Sequence, residues 1–220
     1  MDREQLKRRA AQAALEYVRT GMVVGVGTGT TAGHFIDLLA GIRDRVAGAA
    51  ASSEDTARKL AERGIAVVDM ADVRSLPLYV DGADEVDPSL RLIKGGGGAL
   101  TREKVLASAA DVFVCIVDEA KLVPRLGAFP LPLEVLRLAR GVVSAAIERL
   151  GGRPEERPGF ITDNGNIILD VHGLDLSAPE ERERELAALP GVVDCGIFAA
   201  RRADVVISAG ANGVRTMQRA

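Results

Sequence analysis

"MVVGVGTGTTAGHFIDLLAGI", residues 22–42, decides the fold class. Residues 22–26 are a short apolar run of strand type. Residues 32–42 return their apolar side chains at helical spacing. Gly27-Thr28-Gly29-Thr30-Thr31 lies between them. Strand, glycine-rich turn and helix in succession open a parallel βα unit. Upstream, residues 3–19 set Leu6, Ala10, Ala13, Ala14 and Val18 on one helical stripe, which Gly21 stops. Downstream, Ser52 or Ser53 caps "EDTARKLAER" and Gly64 ends it. "IAVVD", "LYVD" and "DVFVCIVD" read as buried strands, with a helix over about residues 99–109. Apolar runs separated by helices indicate a mainly parallel sheet with helices on both faces.

The pattern changes after about Leu126. "FPLPLEV" is broken by proline, residues 151–159 are loop-like, and "FITDNGNIILDV" carries a hairpin signal at Asn164-Gly165. "APEERERELAAL" reads as a helix with a solvated charged face. "GVVDCGIFA" and "ADVVISAG" read as two more strands, the last returning to the first sheet. The expectation is an α/β chain. A parallel-sheet domain takes residues 1–126 and 199–220, and a smaller α+β domain takes residues 127–198.

The 220 residues carry a net charge of −3, 3% aromatic residues and no Trp. That leaves no electrostatic footprint for nucleic acid and no base-stacking surface. No apolar run spans a bilayer, and "MDREQLKRRAAQAALEYV" is amphipathic rather than signal-like, so a cytoplasmic protein is expected. Cys115 and Cys195 lack metal-ligand spacing, and Cys115 reads as a small core hydrophobe. His34 and His172 read as structural. No Ser or Cys stands beside a His in a nucleophile arrangement.

Three loops can carry chemistry, because ligands of open parallel sheets sit at the carboxyl ends of strands. In the first, Gly27–Thr31, glycines admit a close approach and the next helix offers free N–H groups. A phosphate monoester suits it; a tight turn with a Thr cap looks the same. It lacks the Walker lysine, and "GVGTGT" from Gly25 is an incomplete dinucleotide fingerprint. In the second, Asp81-Gly82-Ala83-Asp84, two carboxylates separated by small residues can face one cavity and move hydroxyl protons. An acidic turn is the plain alternative. A Mg²⁺ site ranks lower, since Lys94 competes as a cation. In the third, Lys94-Gly95-Gly96-Gly97-Gly98, bare backbone and an ammonium form an anion nest at the start of a helix bearing Glu103. Glu103 is a candidate general base, against the usual fate of a surface acid. Lys121 follows another strand, where a solvated lysine would also fit. Jointly these groups make a site for a phosphorylated polyol or sugar at the strand ends of one sheet.

The segments "GTGTT", "YVDGADE", "IKGGGGALTREK", "FPLPLEV", "GGRPE", "TDNGNIILD" and "PGVVDCGIFA" resemble, in order, those of type A ribose-5-phosphate isomerases. The resemblance runs over about residues 3–215. It implies an aldose–ketose isomerase interconverting D-ribose 5-phosphate and D-ribulose 5-phosphate through an enediolate, in the pentose phosphate pathway, with no metal or organic cofactor. It implies a Rossmann-like domain with a smaller α+β domain, assembled as a homodimer or homotetramer. Thr28, Gly29, Thr30 and Thr31 match the phosphate-side loop, and Asp81, Gly82, Ala83 and Asp84 the substrate-contacting acids. Lys94, Gly95, Gly96 and Gly97 match the segment beside the reacting carbons, Lys121 a substrate-contacting lysine, and Glu103 the proton acceptor. Thr30 stands where the family often has Ser. Arg137, Arg201 and Arg202 depart from the pattern outside these segments. Rival readings are a non-catalytic sugar-phosphate sensor of similar fold, an amino-sugar phosphate deaminase or CoA transferase, and a nicotinamide-dependent dehydrogenase.

Overall fold

A computed structural model of the chain describes residues 2–219. The first elements are α1 (Arg3–Ala14), β1 (Val23–Val26), α2 (Thr30–Ala40), β2 (Gly48–Ala51), α3 (Glu54–Glu62), β3 (Val67–Val68) and β4 (Leu76–Asp81). There follow β5 (Glu85–Val86), β6 (Leu92–Ile93), α4 (Leu100–Ala109), β7 (Ala110–Asp118), β8 (Leu131–Val135) and α5 (Arg140–Arg149). The chain continues with β9 (Arg153–Glu156), β10 (Ile167–His172), α6 (Pro179–Ala187), β11 (Val192–Cys195), β12 (Ile197–Phe198), β13 (Val205–Gly210) and β14 (Gly213–Gln218). Contacts divide it into two compact units. One holds Met1–Ala83, Arg102–Lys121 and Ala203–Ala220; the other holds Asp84–Thr101 and Leu122–Arg202.

The first unit is built on a seven-stranded sheet of order β14-β13-β7-β4-β1-β2-β3. Every neighbouring pair is parallel except β13–β14. The mainly parallel sheet expected from the apolar runs, and the Rossmann-like domain that the resemblance implies, are therefore present. Ala10, Ala11 and Ala14 of α1 and Phe35, Ile36 and Leu39 of α2 share one core with Val24, Val26, Val80, Val114 and Ile116. Local chemistry sets the helix ends. Asp2 accepts from Gln5 N at 2.8 Å while its own N–H donates to Gln5 Oε1, a capping box. Ser53, not Ser52, caps α3 by accepting from Thr56 N at 3.1 Å. Two features depart from the sequence reading. The "IAVVD" strand is only two residues long and leaves Val67 exposed, because β3 is a sheet edge paired on one side. The strand β14 was not expected; it returns antiparallel through a tight turn at Gly213, where φ is +119°.

The second unit has two antiparallel sheets, of orders β11-β8-β10-β9 and β12-β6-β5. Leu131, Leu133, Val135, Ile167, Leu169 and Val171 form its core with Val143, Ile147 and Leu186. "FPLPLEV" is not broken: β8 is an interior strand. Pro132 is tolerated because its carbonyl accepts from Gly196 N at 2.8 Å, while the Gly196 carbonyl accepts from Lys94 N at 2.9 Å. The lysine amide supplies the donor that proline lacks. The loop expected over 151–159 contains the edge strand β9. The turn at Asn164-Gly165 exists, with Gly165 N donating to Thr162 O and Thr162 N to Asn166 O at 2.9 Å, but the ladder partners of β10 are β8 and β9 rather than residues 160–162. "GVVDCGIFA" splits into β11 and β12, which join different sheets. The charged face of α6 is not wholly solvated: Glu183 is buried and accepts from Ala199 N and Ala200 N at 3.0 and 2.8 Å. Among the described residues, no helix is long and apolar enough to cross a membrane.

Candidate active site

In the first unit, the loop after β1 is folded by its own hydroxyls. Thr28 Oγ1 shares a hydrogen bond of 2.7 Å with Ser52 Oγ and donates to Ser53 Oγ at 2.9 Å. Thr56 Oγ1 donates to the Gly27 carbonyl at 2.8 Å. Gly29 then takes φ +102°, a backbone state that favours glycine, and α2 starts with no side chain capping its N–H groups. The helix start exposed at Gly29 and Thr30 thus presents backbone N–H groups that no side chain caps. Lys7 adds a cation: its Nζ donates to Thr30 Oγ1 at 2.8 Å and to Glu4 Oε1 at 2.6 Å. Glu4 also pairs with His34 Nε2 at 2.9 Å, and these two partners hold its carboxyl below the usual range. The sequence reading missed Lys7, which sits among the charges of α1 and reaches the loop only through the fold. His34, which reads as structural in the sequence, is bonded to Glu4.

Asp81 ends β4 and is fully buried. Its Oδ1 accepts from Thr28 N at 3.1 Å and Gly82 N at 2.7 Å, and its Oδ2 accepts from the Tyr79 hydroxyl. Tyr79 and Asp81 share a face because they are two apart on one strand. Burial first, then the charges of Asp81 and Glu103, push the Tyr79 hydroxyl well above its ordinary pKa. Glu103 is thus within electrostatic reach of the same hydroxyl. It lies in the first turn of α4 and is only 4% exposed, which is not the condition of a surface acid. Gly82 packs near Thr31, and Ala83 follows it half-buried. Lys121 stands half-buried in a 3-10 turn, Glu119–Lys121, directly after β7. Thr28, Gly29, Thr30, Thr31, Asp81 and Lys121 are at the carboxyl ends of β1, β4 and β7, as expected.

Asp84, Lys94 and the glycines belong to the second unit, and here the expectation of a single sheet is corrected. Asp84 precedes β5 and Lys94 follows β6, both in the small antiparallel sheet, because the chain leaves the parallel sheet after Asp81. Asp84 N donates to Ile93 O at 2.8 Å, and Asp84 Oδ2 accepts from Gly96 N at 2.8 Å. Lys94 is 3% exposed, and its Nζ lies 5.5 Å from the centroid of the Phe198 ring. Gly95 and Gly98 take φ +107° and +78°, which explains two of the four glycines. Gly96 answers to space instead: a Cβ there would lie 2.7 Å from Asp84 Oδ1. Gly96 and Gly97 are exposed. Among the described residues, no cluster of three His, Cys, Asp or Glu side chains is placed to hold a metal ion.

Each unit has its own chemical groups. The first has an uncapped helix start beside an ammonium, a fixed carboxylate and a second buried carboxylate; the second has a buried ammonium, a glycine-rich backbone and a carboxylate. Residues 49–213 match the family model for Ribose 5-phosphate isomerase A (phosphoriboisomerase A). Ribose-5-phosphate isomerase A of Bordetella avium (strain 197N) is 53% identical over 223 residues, covering 100% of each chain. Among solved structures, ribose 5 phosphate isomerase A from Neisseria gonorrhoeae superposes with a TM-score of 0.97 at 43% identity, covering 100% of this chain and 98% of that one. A D-ribose-5-phosphate isomerase in complex with phospho-erythronic acid superposes with a TM-score of 0.94 at 37% identity, covering 100% of both.

Proposed function

The chain belongs to the ribose 5-phosphate isomerase A family, and from this premise we infer that it interconverts D-ribose 5-phosphate and D-ribulose 5-phosphate through an enediolate. In our reading, Glu103 takes the proton from C2 and returns it to C1. One carboxylate suffices for both transfers, because the two carbons are neighbours. Loss of the C2 proton moves an electron pair onto the C1 oxygen and gives the enediolate; the C1 oxygen then takes up a proton, the C2 hydroxyl gives one up, and C1 receives the proton held by Glu103 as the ketone forms. Asp81 and Asp84 carry these oxygen-bound protons and assist ring opening. Lys94 and the N–H groups of Gly95, Gly96 and Gly97 stabilise the enediolate charge. Thr28, Gly29, Thr30 and Thr31, with Lys7 and Lys121, hold the phosphate, and Gly82 and Ala83 line the approach to the acids. Binding of the remote phosphate fixes C1 and C2 against the base.

The observation that carries the catalytic reading is the burial of Glu103, with its charge bearing on the Tyr79 hydroxyl that is bonded to Asp81. The phospho-erythronic acid held by the relative supports it too. That molecule has a planar anionic end and a phosphate end, as the enediolate of a pentose phosphate does. A non-catalytic sensor is not favoured, since the whole chain aligns with isomerases and every acid and lysine of the proposed site is present. The test is ketose formation from ribose 5-phosphate in EDTA. The wild type turns over and Glu103→Gln loses about 10²–10⁴-fold in kcat. A variant with near-normal activity would remove Glu103 as the base.

We also propose that the chain works in the cytoplasm as a homodimer or homotetramer. Leu138 is 90% exposed and Val142 66%, an apolar surface that self-association would cover. Sedimentation showing a monomer at micromolar concentration would refute the assembly, and cell fractionation tests the location.

A further inference from the structure

Arg157, in the connection between β9 and β10, grips the glycine loop by its backbone. Its Nη1 donates to Gly96 O at 3.1 Å and to Gly95 O at 3.3 Å, and its Nη2 donates to Gly95 O at 3.3 Å. Asp170 holds the rest of the fork, with Nε to Oδ2 at 2.9 Å and Nη2 to Oδ1 at 2.6 Å. The guanidinium carbon also lies 5.3 Å from the centroid of the Phe160 ring. Phe160 in turn occupies the space beside Gly98, where a Cβ would come within 2.2 Å of the ring.

The peptide plane gives this grip its consequence. The Gly95 carbonyl and the Gly96 N–H belong to one trans peptide and point in opposite directions. Holding that carbonyl on Arg157 aims the Gly96 N–H the other way, where it donates to Asp84 Oδ2 at 2.8 Å. The grip on the Gly96 carbonyl likewise fixes the direction of the Gly97 N–H. Glycine peptides rotate freely, so a loop of this composition needs an external constraint to present its donors in one orientation. We propose that Arg157, buttressed by Asp170, is a positioning residue for the isomerase reaction: it sets the orientation of the Gly96 and Gly97 N–H groups and, through Gly96, of the Asp84 carboxylate. The inference rests on the isomerase reading above. A lysine could keep an ion pair with Asp170, but it lacks the planar fork that spans two carbonyls and a carboxylate.

The experiment compares wild type, Arg157→Lys and Arg157→Ala of the full chain for kcat and KM on ribose 5-phosphate, with thermal unfolding recorded for each. Folded Arg157→Lys loses about ten- to a hundredfold in kcat, as expected for misplaced groups, with KM within about threefold of wild type. Guanidinium ion at sub-denaturing concentration restores part of the kcat of Arg157→Ala and leaves the wild type unchanged. If Arg157→Ala does not fold, Arg157→Lys alone decides. A folded Arg157→Lys with wild-type kcat, or with a raised KM alone, overturns the positioning role and leaves the isomerase reading standing. A kcat loss that only follows the unfolded fraction, without rescue, overturns it as well. An inactive wild type would remove both.

Discussion

The Asp81 carboxylate occupies the space that a side chain at position 27 would need. A Cβ built on Gly27 lies 1.8 Å from both Cγ and Oδ1 of Asp81. Gly27→Ala must therefore push the carboxylate off Thr28 N and Gly82 N. The expected result is a loss of about a hundredfold in kcat, the scale of a displacement near 1 Å in an active site. A Gly27→Ala enzyme with full kcat would mean that the position of Asp81 does not matter to the reaction.

Tyr79 predicts an alkaline weakness. Burial and the charges of Asp81 and Glu103 raise its pKa in the folded chain, whereas in the unfolded chain the proton leaves near the ordinary 10.0. Above that pH the folded state binds more protons than the unfolded one, so stability falls as pH rises; below it the contribution is complete. Thermal melts of wild type should drop more steeply between about pH 9.5 and 11 than those of Tyr79→Phe. Equal slopes would show that Tyr79 is not linked to folding.

Lys7 predicts a binding defect. Its ammonium sits on Thr30 at 2.8 Å, and its side chain is only 13% exposed. Lys7→Ala should raise KM for ribose 5-phosphate about ten- to a hundredfold, the worth of one charge-assisted hydrogen bond, with a smaller change in kcat. Steady-state kinetics decide the point, and an unchanged KM would place Lys7 outside phosphate binding.

Glu134 predicts a stability defect. It is fully buried in β8 and accepts from Thr162 Oγ1 and Asn166 Nδ2, each at 2.8 Å, and from Asn164 Nδ2 at 3.1 Å. Glu134→Ala strands those donors, at a cost of about 2–3 kcal/mol. In a chain of this size that lowers Tm by about 5–10 °C. A melt at the wild-type temperature would contradict the network.

The loop at residues 27–31, Asp81 and Lys121 were legible because they end long or well-flanked apolar strands, and such runs announce a buried parallel sheet. That the glycine run is a tight loop opening a helix was legible from composition alone. Its place was not, because β5 and β6 are two residues each and too short to show a period. Lys7 and Glu183 were hidden for a different reason. Each sits in a helix full of charges, where one lysine or one glutamate looks like its solvated neighbours. Their partners, Thr30 and the amides of Ala199 and Ala200, are 23, 16 and 17 residues away in sequence. Tyr79 did carry a signal: a hydroxyl two residues from Asp81 on one strand must share its face.

Asp81 is tied to the ends of two adjacent interior strands and to a tyrosine within the sheet. A group anchored in this way has no slack of its own. It cannot wander while β1 and β4 stay paired, and it cannot stay ordered once they part. On heating, loss of turnover should coincide with melting of the central strands in one step, without a warm, folded but idle form in between.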